Sequence, residues 1–425
     1  MTDNTQVGVL VLTPSFAPRE DSESLVNSKL VAALRNRGVH VDVVSRRGGT
    51  LESVRSTTEL QMSGAGKVPR YHVPLKGLRA AFQEVIGTMN AQRLRFVREA
   101  AWARQATMRA VRLHRAGHYQ VVLAFGGFCQ MPAITLQKSL GVPFLAVWND
   151  PFPPNCAPPP YGMGKREAPA VPQCLKRLME RSAALAACHV FPSARLRDYM
   201  LDLLPGVSLP ATEVLPHLAS RRQPSGYCAS AVMTITHAGG LMPYRPIEPF
   251  LQAVAALRPV LGPEVPVRLR FIGPQRNEIA RAAAKHGVDA LCEFYSEIPN
   301  EDCFRLLCSS DLILVVEADM TEGIFLPAKF AECVEAERPI LALTPPRSVI
   351  RDLMDAYGGG WIASGCSVEN ITTALLSAIQ SWRSGWLPSQ SPSAQLRPYL
   401  DEDRIAQRYI ALMRSAIRGD PLSHA

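Results

Sequence analysis

A short β-branched apolar run, VGVLVLT (7–13), is followed by segments that together restrict the fold class. An uninterrupted apolar run of this length suits a strand buried on both faces of a parallel sheet. The polar loop PSFAPREDSES leads into LVNSKLVAALRNRG (25–38), whose apolar residues recur at helical spacing and which stops at Gly38. VHVDVVS (39–45) is the next strand. Strand, loop, helix and strand in that order form a βαβ unit, and a parallel sheet with helical crossovers is expected. The rhythm continues with VVLAF (121–125), a helix around 129–140, PFLAVW (143–148), CHVFPS (188–193) and a turn into VLPH (214–217).

A second series opens after the polar link SRRQPSGYC (220–228). VMTITHAGG (232–240) reads as strand and glycine turn, IEPFLQAVAALRPV (247–260) as helix, and VRLRFIG (267–273) as strand. Then come ALCEFYSEI (290–298), the helix NEDCFRLLCSS, the strand DLILVVE (311–317), the helix PAKFAECVEAE (327–337) and the strand RPILAL (338–343). A Pro/Ser linker, WLPSQSPSAQLRP, precedes a last helix from Asp401 to about Arg418. No repeat of 20–50 residues joins the two series. The expected division is a first doubly wound domain over 1–220, a second over 228–395, and a terminal helix over 400–420 that crosses back to the first.

Composition agrees with two buried cores. Of 425 residues 47% are apolar and 20% charged, which excludes a disordered chain. No apolar run reaches the length of a membrane-spanning helix. The opening MTDNTQ is not a secretory leader, so a cytoplasmic location is expected. Ten cysteines occur without a CxxC pair, and several lie inside apolar segments, so neither a disulfide framework nor a zinc site is expected.

Charge is unevenly placed. The formal net charge is +9, yet residues 1–220 hold 26 Lys+Arg against 15 Asp+Glu, and the remainder is close to balanced. The densest part, RLRFVREAAWARQATMRAVRLHR (93–115), carries seven arginines and one acid, Glu99. Phe96, Trp102, Met108 and Val111 fall at roughly helical spacing within it. Basic and aromatic side chains on one helix suit an anionic membrane surface. The same spacing also suits a long helix whose apolar stripe packs on its own sheet. Nucleic acid is not expected as a partner.

Familiar nucleotide motifs are missing: neither GxGxxG nor GxxxxGK[ST] occurs, nor GxSxG or HExxH. Asp401-Glu402-Asp403 precedes a helix and reads as a cap, and no metal site is expected. HAGGLMPYRPIEPFLQAVAAL joins a strand to paired glycines, an arginine and a helix. Gly239 and Gly240 would let backbone amides approach a ligand, and Arg245 would neutralise a diphosphate. In EADMTEGIFLPAKFAECVEAERPILAL, Pro327 opens a helix carrying Lys329 and Glu332 in its first turns. A helix N-terminus favours phosphate, and a carboxylate there would accept ribose hydroxyls; an i,i+3 surface ion pair is the other reading. The six prolines of PFPPNCAPPP (151–160) force a loop at the C-terminal edge of the preceding strand, where open α/β sheets bind ligands.

These stretches, taken in order, resemble the GT-B glycosyltransferases, and among them the retaining glycosyltransferase family 4. The likeness rests on VLVLTPSFAPRE…LVNSKLVAALRNRGVHVDVVS, GVPFLAVWNDPF, HAGGLMPYRPIEPFLQAV and EGIFLPAKFAECVEAERPILAL. VFPSARLRDYM, VLPH, RLRFIGP and SSDLILVV support it. It implies an α/β, GT-B architecture of two Rossmann-like domains facing across a cleft, with the acceptor held by the first and a nucleotide sugar by the second. It also implies that Gly239, Gly240 and Arg245 hold the donor diphosphate, Glu332 the ribose, and Lys329 a variant basic position. By the same resemblance Glu322, Gly323 and Ile324 touch donor sugar and pyrophosphate, and Gly273, after Ile272, lies near the base. On the acceptor side the family's Gly-Gly is replaced by Asp21-Ser22-Glu23-Ser24, where the hydroxyls of Ser22 and Ser24 would stand in for backbone contacts. Asn149 and Asp150 fill the place of a histidine in many relatives, and Asp150 would orient or deprotonate the acceptor. Glu322 and Glu332 are ten apart where the family spaces its two glutamates by eight.

The implied activity is transfer of a sugar from a nucleotide-diphosphate sugar to a hydroxyl acceptor, retaining and metal-independent, with no cofactor and with Asp150, Arg245 and Lys329 as catalytic residues. Cell-surface polysaccharide, glycolipid and natural-product glycosylation are the implied settings, with the chain cytoplasmic or peripheral at the inner face of the membrane. A catalytically inactive homologue serving as a binding partner, and a sugar-nucleotide epimerase on the same fold, remain open alternatives.

Overall fold

Two wholly parallel sheets carry the chain in the computed structural model, which describes residues 7–17, 21–46, 70–73, 91–167, 173–203, 207, 209, 211–220, 222, 224, 231–241, 244–261, 267–385, 390–391 and 396–420. The first sheet holds β1 (Gly8–Thr13), β2 (His40–Arg46), β3 (Arg70–Val73), β4 (Val121–Phe125), β5 (Phe144–Val147), β6 (Cys188–Phe191) and β7 (Thr212–Val214) in the order β3-β2-β1-β4-β5-β6-β7. The second holds β8 (Met233–Ala238), β9 (Val267–Ile272), β10 (Cys292–Tyr295), β11 (Leu312–Val316), β13 (Ile340–Thr344) and β15 (Gly360–Ser364) in the order β10-β9-β8-β11-β13-β15. A small ladder pairs β12 (Glu322–Gly323) with β14 (Arg347–Ser348). In both sheets the strand order reverses beside the first strand of the series, as in doubly wound α/β domains.

Burial explains the unbroken apolar runs. Val9, Leu10, Val11 and Leu12 of β1 are each 0% exposed, because helices cover both faces of the sheet. β1 pairs with β2 at Val9↔Val41 and with β4 at Val9↔Val121, so three central strands align their apolar residues. The helices of eight residues or more are α1 (Ser22–Arg35), α2 (Ala91–Gly117), α3 (Gln130–Leu140), α4 (Gln173–Leu185), α5 (Ala194–Asp202), α6 (Glu248–Leu261), α7 (Arg276–Lys285), α8 (Asn300–Cys308), α9 (Ala328–Glu335), α10 (Val349–Tyr357), α11 (Val368–Arg383) and α12 (Glu402–Arg418). Sequence periodicity did not announce β3, β15, α10 or α11.

The compact units divide between Leu215 and Pro216 rather than at 220–228. Ala219 donates its N–H to Leu400 O at 2.9 Å and bridges to Asp401, which ties the start of the link to the second unit. Pro158–Met163 also belongs to the second unit, and residues from Ile405 onward belong to the first. In α12, Arg408 makes a bidentate pair with Glu213 at 2.9 and 2.7 Å, and Ile405, Tyr409, Leu412 and Met413 are buried. Of the link at 220–228, the odd-numbered positions and 226–228 lie outside the described residues, as do 386–389 and 392–395 of the Pro/Ser linker.

Helix α2 uses its apolar stripe internally. Trp102, Ala103, Ala106 and Ala110 are 0% exposed, and the Arg46 guanidinium lies 5.3 Å from the Trp102 ring while pairing with Glu99. Met108 instead stands 59% exposed, with Arg104, Arg112 and Arg115 exposed along the same face. The side chains of residues 91–96, Phe96 included, lie outside the description.

Candidate active site

In the second unit the carboxyl ends of β8 and β9 bring two glycine turns together. Gly239 has φ +124° and donates its N–H to Ile272 O at 2.9 Å. Gly273 has φ +155° and donates to Tyr295 O at 3.0 Å. A Cβ on Gly273 would stand 2.5 Å from Gly239 O, closer than real Cβ contacts come, so glycine is required for the approach. Gly240 lies against the Gln275 side chain, whose Oε1 accepts from Leu241 N at 3.0 Å. β11 lies on the other side of β8, so these turns flank the switch point where such sheets bind ligands.

Helix α9 delivers a cation to the same place. Its N-cap is Pro327, and no side chain caps it. Lys329 Cγ lies 3.9 Å from the Cβ position of Gly239. Lys329 Nζ pairs with Glu332 Oε2 at 3.0 Å. This is no surface pair: Glu332 is 1% exposed, and its Oε1 accepts from Asn300 Nδ2 at 2.9 Å. Burial pulls the Lys329 pKa down most strongly, but Glu332, Cys303 and Cys333 outweigh it and the pKa ends raised. The carboxylate expected to grip a ribose is therefore engaged by protein groups in this structure.

Arg245 completes the cationic group. Its Nη1 donates to Gly240 O at 3.5 Å and its Nε to Tyr161 Oη at 3.4 Å. Tyr161 meets Tyr244 and Phe325 edge-on, with centroids 5.8 and 5.3 Å apart. This aromatic group is not legible in the sequence, since Tyr161 is far along the chain from the other two. Beyond β11, Asp319 N donates to Tyr244 O at 3.0 Å, anchoring the loop that carries Glu322.

The structure places the three residues of the expected donor loop as follows. Ile324 is buried, 1% exposed. Glu322 Oε2 lies 3.6 Å from Arg347 Nη2 across the β12–β14 ladder. Gly323 is a packing glycine: a Cβ there would stand 2.9 Å from Ser348 Cβ and 3.1 Å from Glu317 Oε1. Glu317 is itself a buried carboxylate at the end of β11, missed although an acid closing the apolar run DLILVVE was a visible signal. His237, next to the glycine turn, is buried with Nδ1 3.0 Å from Leu314 O, and desolvation lowers its pKa to about 4. It is neutral at physiological pH.

The first unit presents a polar network at the carboxyl ends of β1 and β5. Asp21 is the N-cap of α1, accepting from Ser24 N at 2.8 Å. Ser15 Oγ donates to the same carboxylate at 2.5 Å. The positive end of α1 thus already holds an anion. Ser24 is 1% exposed and its N–H is committed to Asp21, whereas Ser22 is exposed. Asn27 Nδ2 donates to Thr13 Oγ1 at 2.9 Å and Ser15 O at 3.1 Å, while its Oδ1 accepts from Asn149 at 3.2 Å. Asp150 is exposed, yet enough protein surrounds it that desolvation raises its carboxyl pKa above the ordinary value. Gly127 makes room for Phe152 of the proline loop, whose ring would lie 2.0 Å from a Cβ there.

Solved structures match the fold over nearly the whole chain. Anabaena HepE in complex with UDP and glucose aligns with TM-score 0.66 at 12% identity, covering 96% of this chain and 100% of that one. Sucrose-phosphate synthase from Thermosynechococcus elongatus aligns with TM-score 0.66 at 12% identity, covering 98% and 100%. The chain has the GT-B fold. A Listeria monocytogenes protein described as a UDP-N-acetylglucosamine 2-epimerase shares that fold at TM-score 0.60 and 14% identity, covering 99% and 100%. No family model matches the sequence, and no curated protein does.

Proposed function

We propose that this GT-B protein is a glycosyltransferase that moves a sugar from a nucleotide-diphosphate sugar to a hydroxyl acceptor, with retention and without a metal ion. The observation that carries the reading is the convergence of two glycine turns, Lys329 and Arg245 at the switch point of the second sheet. Breaking the bond between sugar and diphosphate leaves negative charge on the departing phosphate. Lys329, Arg245 and the backbone amides of the glycine turns would stabilise it. That HepE was crystallised with UDP and glucose supports a UDP-sugar as donor. On this reading Asp150, held with a raised pKa, takes the acceptor proton, with Asn149 and Ser22 beside the acceptor. Cell-surface glycans, glycolipids and small natural products are the proposed acceptors.

A screen of UDP-, GDP- and ADP-sugars for slow hydrolysis tests this without an acceptor. One class should turn over in the presence of a chelator, and Lys329→Met should lower the rate by a factor on the order of 10². Calorimetry that finds no nucleoside diphosphate binding at millimolar ligand would remove the reading. The fold shared with the Listeria protein favours one alternative, a sugar-nucleotide epimerase, which would release a sugar of altered configuration with no acceptor present. Product analysis by mass spectrometry and NMR separates the two.

The exposed face of α2 is proposed to hold the protein against an anionic membrane from the cytoplasmic side, with Arg104, Arg112 and Arg115 on phosphates and Met108 among the headgroups. Vesicles containing anionic lipid should co-sediment the protein at low salt and release it at high salt. Equal binding to neutral vesicles would contradict the proposal.

A further inference from the structure

We propose that Arg222 and Asn300 form a positioning relay that sets how tightly Glu332 holds Lys329, and through it the affinity of the glycine-turn site for a diphosphate. The relay deepens the donor reading of that site and rests on it. Arg222 lies in the link between β7 and β8, and its guanidinium is fixed on three sides. Its Nε and Nη2 bond Glu335 Oε1 and Oε2 at 3.2 and 2.9 Å, its backbone N–H donates to the same Oε1 at 2.8 Å, and its face lies 3.8 Å from the Phe304 centroid. Glu335 is 0% exposed, so this bidentate pair fixes the guanidinium plane.

Arg222 reaches Glu332 by two routes: directly, with Nη2 3.8 Å from Glu332 Oε1, and through Nη1 and Asn300. Arg222 Nη1 donates to Asn300 Oδ1 at 2.9 Å. A guanidinium never accepts, so the amide oxygen of Asn300 must face Arg222 and its Nδ2 must face Glu332, where it donates to Oε1 at 2.9 Å. Glu332 Oε2 then pairs with Lys329 at 3.0 Å. Every step follows from donor and acceptor chemistry, from the link residue to the lysine beside Gly239. Arg222 and Asn300 need not touch a ligand. By holding one oxygen of Glu332, the Asn300 amide takes up part of the carboxylate charge that would otherwise fix Lys329, leaving the ammonium able to turn to an incoming phosphate.

The charged and titratable groups around the relay are Arg222, Glu301, Glu335, Lys329 and Glu332, with the thiols of Cys303 and Cys333. Burial raises both thiols, Cys333 to about 12, so they remain uncharged over the range tested. Asn300→Asp is the informative change. Ionised, the new carboxylate still accepts from Arg222 but offers Glu332 no donor and adds a negative charge near Lys329. Protonated, its O–H restores the lost donor.

Two measurements on the full-length chain decide the matter. NMR titration of ¹³C-lysine-labelled protein, with the Lys329 signal assigned by Lys329→Arg, should place the ammonium pKa of Asn300→Asp above that of the unaltered chain. Calorimetry with UDP should show at least tenfold weaker binding for Asn300→Asp at pH 8, the deficit shrinking as pH falls toward 5. Asn300→Ser, which is too short to bridge and adds no charge, should weaken UDP binding at every pH and stands in should the aspartate variant not fold. A Lys329 pKa and a UDP affinity unchanged in folded variants would overturn the relay. A loss of affinity equal at all pH in Asn300→Asp would also overturn it, since mere structural damage has no such profile. If the unaltered chain fails to bind UDP, the donor reading falls, while the Lys329 titration still decides the relay.

Discussion

At Gly273 the backbone leaves no room for even one methyl group. With φ +155° and Gly239 O 2.5 Å from the Cβ position, alanine there must push the two glycine turns apart. Gly273→Ala should destabilise the second unit by about 1–3 kcal/mol and weaken UDP binding, read by thermal melting and calorimetry. Asp150 carries a second residue-scale expectation. Its carboxyl titrates above the ordinary value, and a proton acceptor works only when ionised. The rate should therefore fall as pH drops through that raised pKa, and Asp150→Asn should slow turnover and abolish the acidic limb without altering the melt. An unchanged pH–rate profile in Asp150→Asn would exclude it as the base. The sequence named Lys329, Arg245 and the glycines because residue type and strand-end position suffice to suggest phosphate. It could not tell that Glu332 is buried against Asn300, because that depends on a helix thirty residues away.

At the scale of elements, α2 shows how one helix divides its labour. Trp102 fills the core while Met108 faces solvent, although both are large apolar residues in the same arginine-rich run. Trp102→Ala should cost about 3–5 kcal/mol of stability through the cavity it leaves. Met108→Ser should change stability by under about 0.5 kcal/mol, since the side chain is 59% exposed. Urea denaturation of both variants makes the comparison. Helix α1 teaches the same lesson from its end: Asp21 occupies the N-terminus with its own carboxylate. Asp21→Ala should cost about 1 kcal/mol. Such a cap is legible in Asp21-Ser22-Glu23-Ser24, because the aspartate side chain and the amide it accepts from lie three residues apart.

For the molecule as a whole, the buried histidines among the described residues are His189 in the first unit and His237 in the second. His189 receives the Trp148 indole N–H at 3.0 Å, and desolvation lowers its pKa, like that of His237, to about 4. An unfolded histidine titrates near 6.5, so the unfolded chain binds more protons between these values. Stability contributed by each histidine is full above about pH 6.5 and is lost progressively as pH falls toward 4, on the order of 3 kcal/mol apiece. Denaturant midpoints measured from pH 7.5 to pH 4.5 should fall accordingly, and His237→Gln should flatten the trend in the second unit. A flat profile in the unaltered chain would show that neither imidazole is buried neutral.

Alternating apolar strands and amphipathic helices determined the fold class, because strands buried on two faces with helical crossovers leave few other solutions, while the strand order of both sheets, with β3 and β15 in it, came from the tertiary structure. Glycine and cation at strand ends located the candidate site for the same local reasons. What only tertiary structure decided was which polar groups are consumed in pairing: Glu332 by Asn300, Glu335 by Arg222 and Glu322 by Arg347. Hydrogen bonds of this kind join residues distant along the chain, and a sequence records the groups without recording which of them meet.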